Sequence, residues 1–281
     1  MKNFFIRALT AGGIVAVLLG CTFYSQISFS ILFLLVTILG LQEFYTLAEK
    51  SGSLPQKITG IIAGALLFIF NALVSNDALD TRFKTLMLPG TLFFALLFVF
   101  LIFIFELFRK KENPFGNIAF TVLGIIYVAI PFSLLNYIVI FDGTYSYQIL
   151  FGVFFLIWSN DSGAYIVGSL TGKHKLFPRI SPGKSWEGSV GGALICYGIV
   201  FIISGWYTSI SFSNWMVIAT ILIVIGSLGD LVKSLFKRSV NVKDSGTLLP
   251  GHGGILDRFD SLIMSIPFIF TYLYIIKFTL H

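Results

Sequence analysis

Charge is what this chain has least of. Asp, Glu, Lys and Arg make up 11% of its 281 residues, against about 25% in soluble domains. Cysteine is nearly absent: Cys21 and Cys196 both lie in apolar runs and are too few for a disulfide framework or a thiolate metal centre. Also missing is a basic stripe. The formal net charge is +6, but the positive residues are scattered between apolar stretches, which argues against a nucleic-acid partner and for anionic lipid headgroups and an anionic substrate. No repeat relates the two halves of the sequence.

What fills the chain instead is apolar: 56% of residues are hydrophobic and 16% aromatic, with a mean hydropathy of +0.91. That composition predicts an all-α, polytopic integral membrane protein. About nine stretches approach the roughly 20 residues a helix needs to cross the hydrocarbon core. They run Ala8 to Tyr24, Ile27 to Leu47, Ile58 to Val74, Leu88 to Leu107, Ile118 to Phe141, Ile149 to Leu170, Trp186 to Trp206, Trp215 to Leu235 and Leu256 to Phe278. Ser25 and Gln26 alone separate the first two, so a single long hairpin or a re-entrant element is an alternative there. With the N-terminus inside, only Arg82, Lys84 and Lys277 of the 19 Lys and Arg fall outside, as the positive-inside rule requires. The same arrangement brings loops 171–185 and 236–255 to one cytoplasmic face, where a polar site can form.

Two local motifs lead elsewhere. Leu18-Leu19-Gly20-Cys21 resembles a lipoprotein processing site, but several spans follow it and no exported soluble domain exists for a lipid to anchor. Pro182-Gly183-Lys184-Ser185 resembles the end of a P-loop, yet Pro178 stands where the earlier glycine belongs and no strand is expected before it.

The chemistry-bearing residues gather in the second half. Asn160 and Asp161 fall inside an apolar span, where a carboxylate costs about 2.5–3.5 kcal/mol unless it meets a cavity or a partner. A helix–helix polar contact eased by Ser162, Gly163 and Gly168 is the plainer explanation. From Lys173 to Glu187, basic residues alternate with hydroxyls and glycines just before a helix, an arrangement suited to an anion. Ser181, Lys184, Ser185 and Glu187 belong to that run; Ser185 is placed to cap the helix, and Pro182 and Gly183 fix the backbone at Lys184. Without a ligand, Lys173, Lys175 and Arg179 read simply as a positive-inside loop. Asp230 follows Gly229, and Asp230, Lys233 and Lys237 share a helix face by spacing. Asp257 and Asp260 lie three apart at the start of the last span. With Asp230 they make a hard-oxygen set suited to magnesium, unless they serve as helix caps paired with Arg258.

Between these lie Ser234, Lys237-Arg238, Lys243-Asp244, Pro250-Gly251-His252-Gly253-Gly254 and Asp257-Arg258-Phe259-Asp260. That series resembles the signature of the phosphatidate cytidylyltransferases, also called CDP-diacylglycerol synthases. The likeness is strong from about Trp158 to Ser261 and rests on hydropathy alone before that. Ser185 stands where the family more often has Thr, which keeps the hydroxyl.

The resemblance implies transfer of CMP from CTP to phosphatidate, with Asp230, Lys237, Arg238, Asp257, Arg258 and Asp260 as the catalytic set and magnesium held by Asp230, Asp257 and Asp260. Asn160, Asp161, Lys173, Ser181, Lys184, Ser185, Glu187, Ser234, Lys243, Asp244, His252, Gly253 and Gly254 would bind substrate. It further implies a second ion such as potassium, a homodimer among membrane lipids, and an N-terminal helical region, 1–145, preceding a catalytic one, 146–281. Short loops and the lack of a long N-terminal extension point to a bacterial inner membrane, with the N-terminus and the site cytoplasmic. An ion-coupled transporter would also place carboxylates in spans, but here the polar residues crowd one face. A CDP-alcohol phosphatidyltransferase would need an Asp-Gly-x-x-Ala-Arg motif that the chain lacks.

Overall fold

A computed structural model describes residues 2–76, 81–242, 244–246 and 253–279. Lys243, Pro250 and His252, named above, lie outside the described residues. The helices are α1 Lys2–Tyr24, α2 Gln26–Lys50, α3 Lys57–Val74, α4 Thr81–Arg109, α5 Pro114–Gly124, α6 Ile130–Ile138, α7 Gln148–Thr171, α8 Trp186–Trp206, α9 Phe212–Ile221, α10 Ser227–Ser239 and α11 Leu256–Thr279. Among the described residues, seven helical rods are long and apolar enough to cross a membrane, and α1 contributes a shorter apolar stretch, Thr10–Tyr24. The protein is therefore an all-α polytopic membrane protein; its helices fall on the apolar stretches expected from the sequence, but seven of them, not nine, meet that length and hydropathy among the described residues.

The α1–α2 junction is a true break, because Ser25 caps α2 in a reciprocal capping box with Ser28. Two rods are joined through π-helical turns, Ile125–Ala129 between α5 and α6 and Leu222–Gly226 between α9 and α10. Pro131, which has no N–H to give to the preceding turn, follows the first and accounts for it. The second turn stands four residues before Asp230; π-helical turns recur at functional sites.

The chain forms two compact units: residues 1–145 with 239–259, and residues 146–238 with 260–281. The described residues of segment 239–259, grouped by sequence with the C-terminal half, thus belong with the N-terminal helices. The first unit is built around Phe33, Phe132 and Phe259, whose rings meet at 5.6–6.3 Å. Its buried Glu106 is fully engaged: it accepts from Gln56 Nε2 and Asn117 Nδ2, each at 2.8 Å, and pairs with Arg109 at 2.7 Å. These bonds tie α4 to α5 and to the α2–α3 connection and explain one intramembrane carboxylate without chemistry.

In the second unit α7 and α8 pack along small residues. A Cβ at Gly188 would stand 2.7 Å from the Ala164 carbonyl oxygen, so the helices approach at backbone distance. The expected loop between them contains an antiparallel pair, β1 Lys175–Phe177 and β2 Ser181–Ser185. The Pro-Gly-Lys-Ser run is therefore itself a strand, not the strandless loop expected from the sequence. Too short to show alternation, these strands were invisible to a periodicity reading.

Candidate active site

The second unit gathers charges from four elements. Strand β2 ends on Ser185, which caps α8 by accepting the Gly188 N–H at 3.2 Å. That cap fixes the preceding residue, Lys184, whose Nζ reaches Asp230 Oδ2 at 2.6 Å. One turn along α10, Lys233 contacts Asp230 Oδ1 at 3.0 Å and also binds Asp260 Oδ2 on α11. Lys233 is 7% and Asp260 8% exposed, so the pair sits where charge survives only by mutual compensation. The other Asp260 oxygen accepts the Ser261 N–H at 2.8 Å, and the Asp230 and Asp260 carboxyls meet. Asp161, on α7 beside the buried Asn160, lies in the field of Lys184, Asp230 and Lys233. Asp161, Asp230 and Asp260 thus share the field of two ammoniums, Lys184 and Lys233.

Next to this cluster in sequence, an open groove of about 970 Å³ runs along α7 and α8. Its rim carries Lys173, His174 and Lys175, and its wall Val167, Trp186, Val190 and Leu194. Glu187 shapes the rim, accepting the Lys173 and His174 N–H groups at 3.2 Å and pairing with His174 Nδ1 at 2.6 Å. A cationic rim over an apolar wall suits an amphiphile with an anionic head.

A separate arrangement lies in the first unit. Asp257 Oδ2 accepts from Ser245 N at 3.0 Å, Ser245 Oγ at 2.8 Å and Gly254 N at 3.2 Å. Glu43 of α2, 4% exposed, accepts from Ile255 N at 2.9 Å and Leu256 N at 3.0 Å, the first donors of α11. Gly253 has φ +79°, which only glycine adopts at low cost.

The sequence-derived residues are thus distributed unevenly. Asn160, Asp161, Lys184, Asp230 and Asp260 come together, Ser185 supports them from the β2–α8 corner, and Glu187 holds the groove rim at Lys173 and His174. Gly253, Gly254 and Asp257 build the turn before α11. Lys173 is exposed on the groove rim, and Ser181 opens β2. On α10, Ser234 and Lys237 are half-buried and Arg238 exposed; Asp244 and Arg258 are also exposed. Asp257 and Asp260, placed on one helix side by their spacing, have different hydrogen-bond partners. Lys233 and Glu43 were missed as site residues. Lys233 had the spacing signal; Glu43 had the same signal as Asp161, a carboxylate in an apolar span.

Among the described residues no group of three or more His, Cys, Asp or Glu stands ready as a metal cage. The Asp230–Asp260 pair still fits a divalent ion whose remaining ligands are water and phosphate oxygens.

The family model described as Cytidylyltransferase family matches residues 5–276. A phosphatidate cytidylyltransferase of Staphylococcus haemolyticus is 44% identical over 170 residues, and one of Staphylococcus saprophyticus 46% identical over 170 residues. One of Staphylococcus aureus is 41% identical over the same length. In each case the match covers 60% of this chain and 64% of the relative, so the chain spans less than two thirds of the curated relatives it matches. With its family model extending over nearly every residue, the chain belongs to the cytidylyltransferase family.

Proposed function

We propose that this protein transfers CMP from CTP to phosphatidate, forming CDP-diacylglycerol and pyrophosphate. The observation that carries the reading is the Lys184–Asp230–Lys233–Asp260 cluster in a chain of this family. A phosphate oxygen of phosphatidate attacks the α-phosphorus of CTP; the bond to the bridging oxygen breaks and its electrons leave with pyrophosphate. The nucleophile is already ionised at pH 7, so the barrier lies in bringing anions together in line. Lys184 and Lys233 answer that need by exchanging a carboxylate partner for a phosphate oxygen. Lys237, Arg238 and Arg258 supply further phosphate contacts, Arg258 through a planar fork. The groove rim at Lys173 takes the phosphatidate head, with the acyl chains along α7 and α8.

Asp230 and Asp260 would hold magnesium, which when bound neutralises triphosphate charge and polarises the α-phosphorus. Asp257 would join that set through Oδ1, since Ser245 and Gly254 donate to Oδ2. The family resemblance adds a second ion such as potassium and a homodimer. Excess Lys and Arg on one side of the spans supports a cytoplasmic site, and the bacterial relatives support a bacterial inner membrane.

The test is direct. Purified protein with magnesium, phosphatidate and CTP labelled in its cytidine should place label in the lipid fraction and release one pyrophosphate per label. No incorporation by well-folded protein overturns the proposal.

A further inference from the structure

We infer that Glu43 is a positioning residue for the turn that opens α11, and that Gly254 is glycine because the Glu43 carboxylate occupies the place of its side chain. The inference rests on the reaction proposed above, since that turn leads into Asp257, Arg258 and Asp260.

A carboxylate buried in an apolar span persists only if its oxygens are matched, and those of Glu43 are matched by backbone. Oε1 takes the N–H of Ile255 and Oε2 that of Leu256, at 2.9 and 3.0 Å. These N–H groups have no partner within their own helix, and the positive end of the α11 dipole favours the anion. Ser245 Oγ stands 3.5 Å from Glu43 Oε2 and 2.8 Å from Asp257 Oδ2, so its single proton goes to Asp257 while the hydroxyl spans both carboxylates. The chain closes tightly around this point. A Cβ at Gly246 would lie 2.5 Å from Glu43 Oε1, and one at Gly254 would overlap both Glu43 Oε2 and Ser245 Oγ. Both ends of the 245–254 loop are therefore held against a single side chain of α2. Glu43 has no part in the proposed bond-making; it acts through the loop.

Glu43→Gln replaces one acceptor with an amide that points N–H at backbone N–H. The expected result is at least a tenfold loss of kcat/KM for CMP transfer, normal insertion, and faster proteolysis between residues 239 and 256. Gly254→Ala should have the same two effects. Glu43→Asp should also show both effects, because the shorter side chain withdraws its oxygens from the Ile255 and Leu256 N–H groups. Wild-type turnover and cleavage in Glu43→Gln overturn the inference. So does a Gly254→Ala variant with wild-type turnover and cleavage, and that variant decides the matter if Glu43→Gln fails to accumulate. Wild-type protein that makes no CDP-lipid, while the variants are cleaved faster as described, sinks the proposed reaction and spares the positioning role.

Discussion

Two aspartates three residues apart on α11 keep different company. Asp257, in the first unit, accepts from two backbone N–H groups and a hydroxyl. Asp260, in the second, is satisfied largely by the Lys233 ammonium, which it shares with Asp230. Backbone donors are fixed by the fold, so a carboxylate they hold organises a loop and has little reason to let go. An ammonium on a flexible stem can leave one anion for another, so carboxylates held this way can trade partners with phosphate or a metal. The same residue type thus meets backbone and hydroxyl donors in one unit and an ammonium in the other. Glu43 and Asp230 repeat the contrast.

The largest effect should come from removing the shared ammonium. Lys233→Met leaves Asp230 and Asp260 facing each other without their buried partner, a change that typically costs about 3–5 kcal/mol. We expect CMP transfer to fall at least about a hundredfold, on the order of 2.7 kcal/mol, and the thermal unfolding midpoint in detergent to drop. A stable, active Lys233→Met protein would show that the charges of the second unit are not mutually dependent.

The aspartates themselves sharpen the contrast. Asp260→Asn keeps an acceptor for the Ser261 N–H but removes the charge from Lys233 and from any bound cation. Turnover should fall about a hundredfold, and the magnesium concentration needed for half activity should rise. Asp257→Asn keeps an acceptor for Ser245 and Gly254, so its loss should be nearer tenfold, with unchanged magnesium dependence and faster loop proteolysis. Equal magnesium shifts in the two variants would make both residues ligands and dissolve the distinction between the units.

How far this was legible in the sequence depends on the kind of partner. Asp161, Asp230 and Asp260 stand out because a charge in an apolar span needs an explanation, and Lys184 because Pro182, Gly183 and the Ser185 cap frame it. The helical rods were legible for the same reason, length and hydropathy being summed over many residues. Glu43 obeys the rule that exposed Asp161, but its partners are backbone N–H groups, which leave no residue-type signature. Gly254 could be read as a turn glycine, not as one excluded from bearing a side chain by a helix more than 200 residues earlier. The return of residues 239–259 to the first unit is likewise a long-range packing outcome. The Leu222–Gly226 π-helical turn has no proline to announce it.

The smallest expected effects test whether position or mere charge matters at the start of α11. Arg258 is exposed between the two aspartates, and Lys111 is exposed just beyond α4; both count equally toward net charge and toward a positive-inside loop. If Arg258 grips phosphate with two parallel N–H bonds, Arg258→Lys keeps the charge and loses the fork. We expect about a tenfold loss in kcat/KM, on the order of 1.4 kcal/mol, seen as a higher KM for CTP or phosphatidate at unchanged magnesium dependence. Lys111→Ala removes a whole exposed charge from a loop with no assigned chemistry, and its activity per inserted molecule should stay within about twofold of wild type, because exposed charges are largely screened by salt. The opposite ranking, an active Arg258→Lys beside a dead Lys111→Ala, would move the phosphate contacts away from α11 and leave Asp260 with only Lys233 to answer.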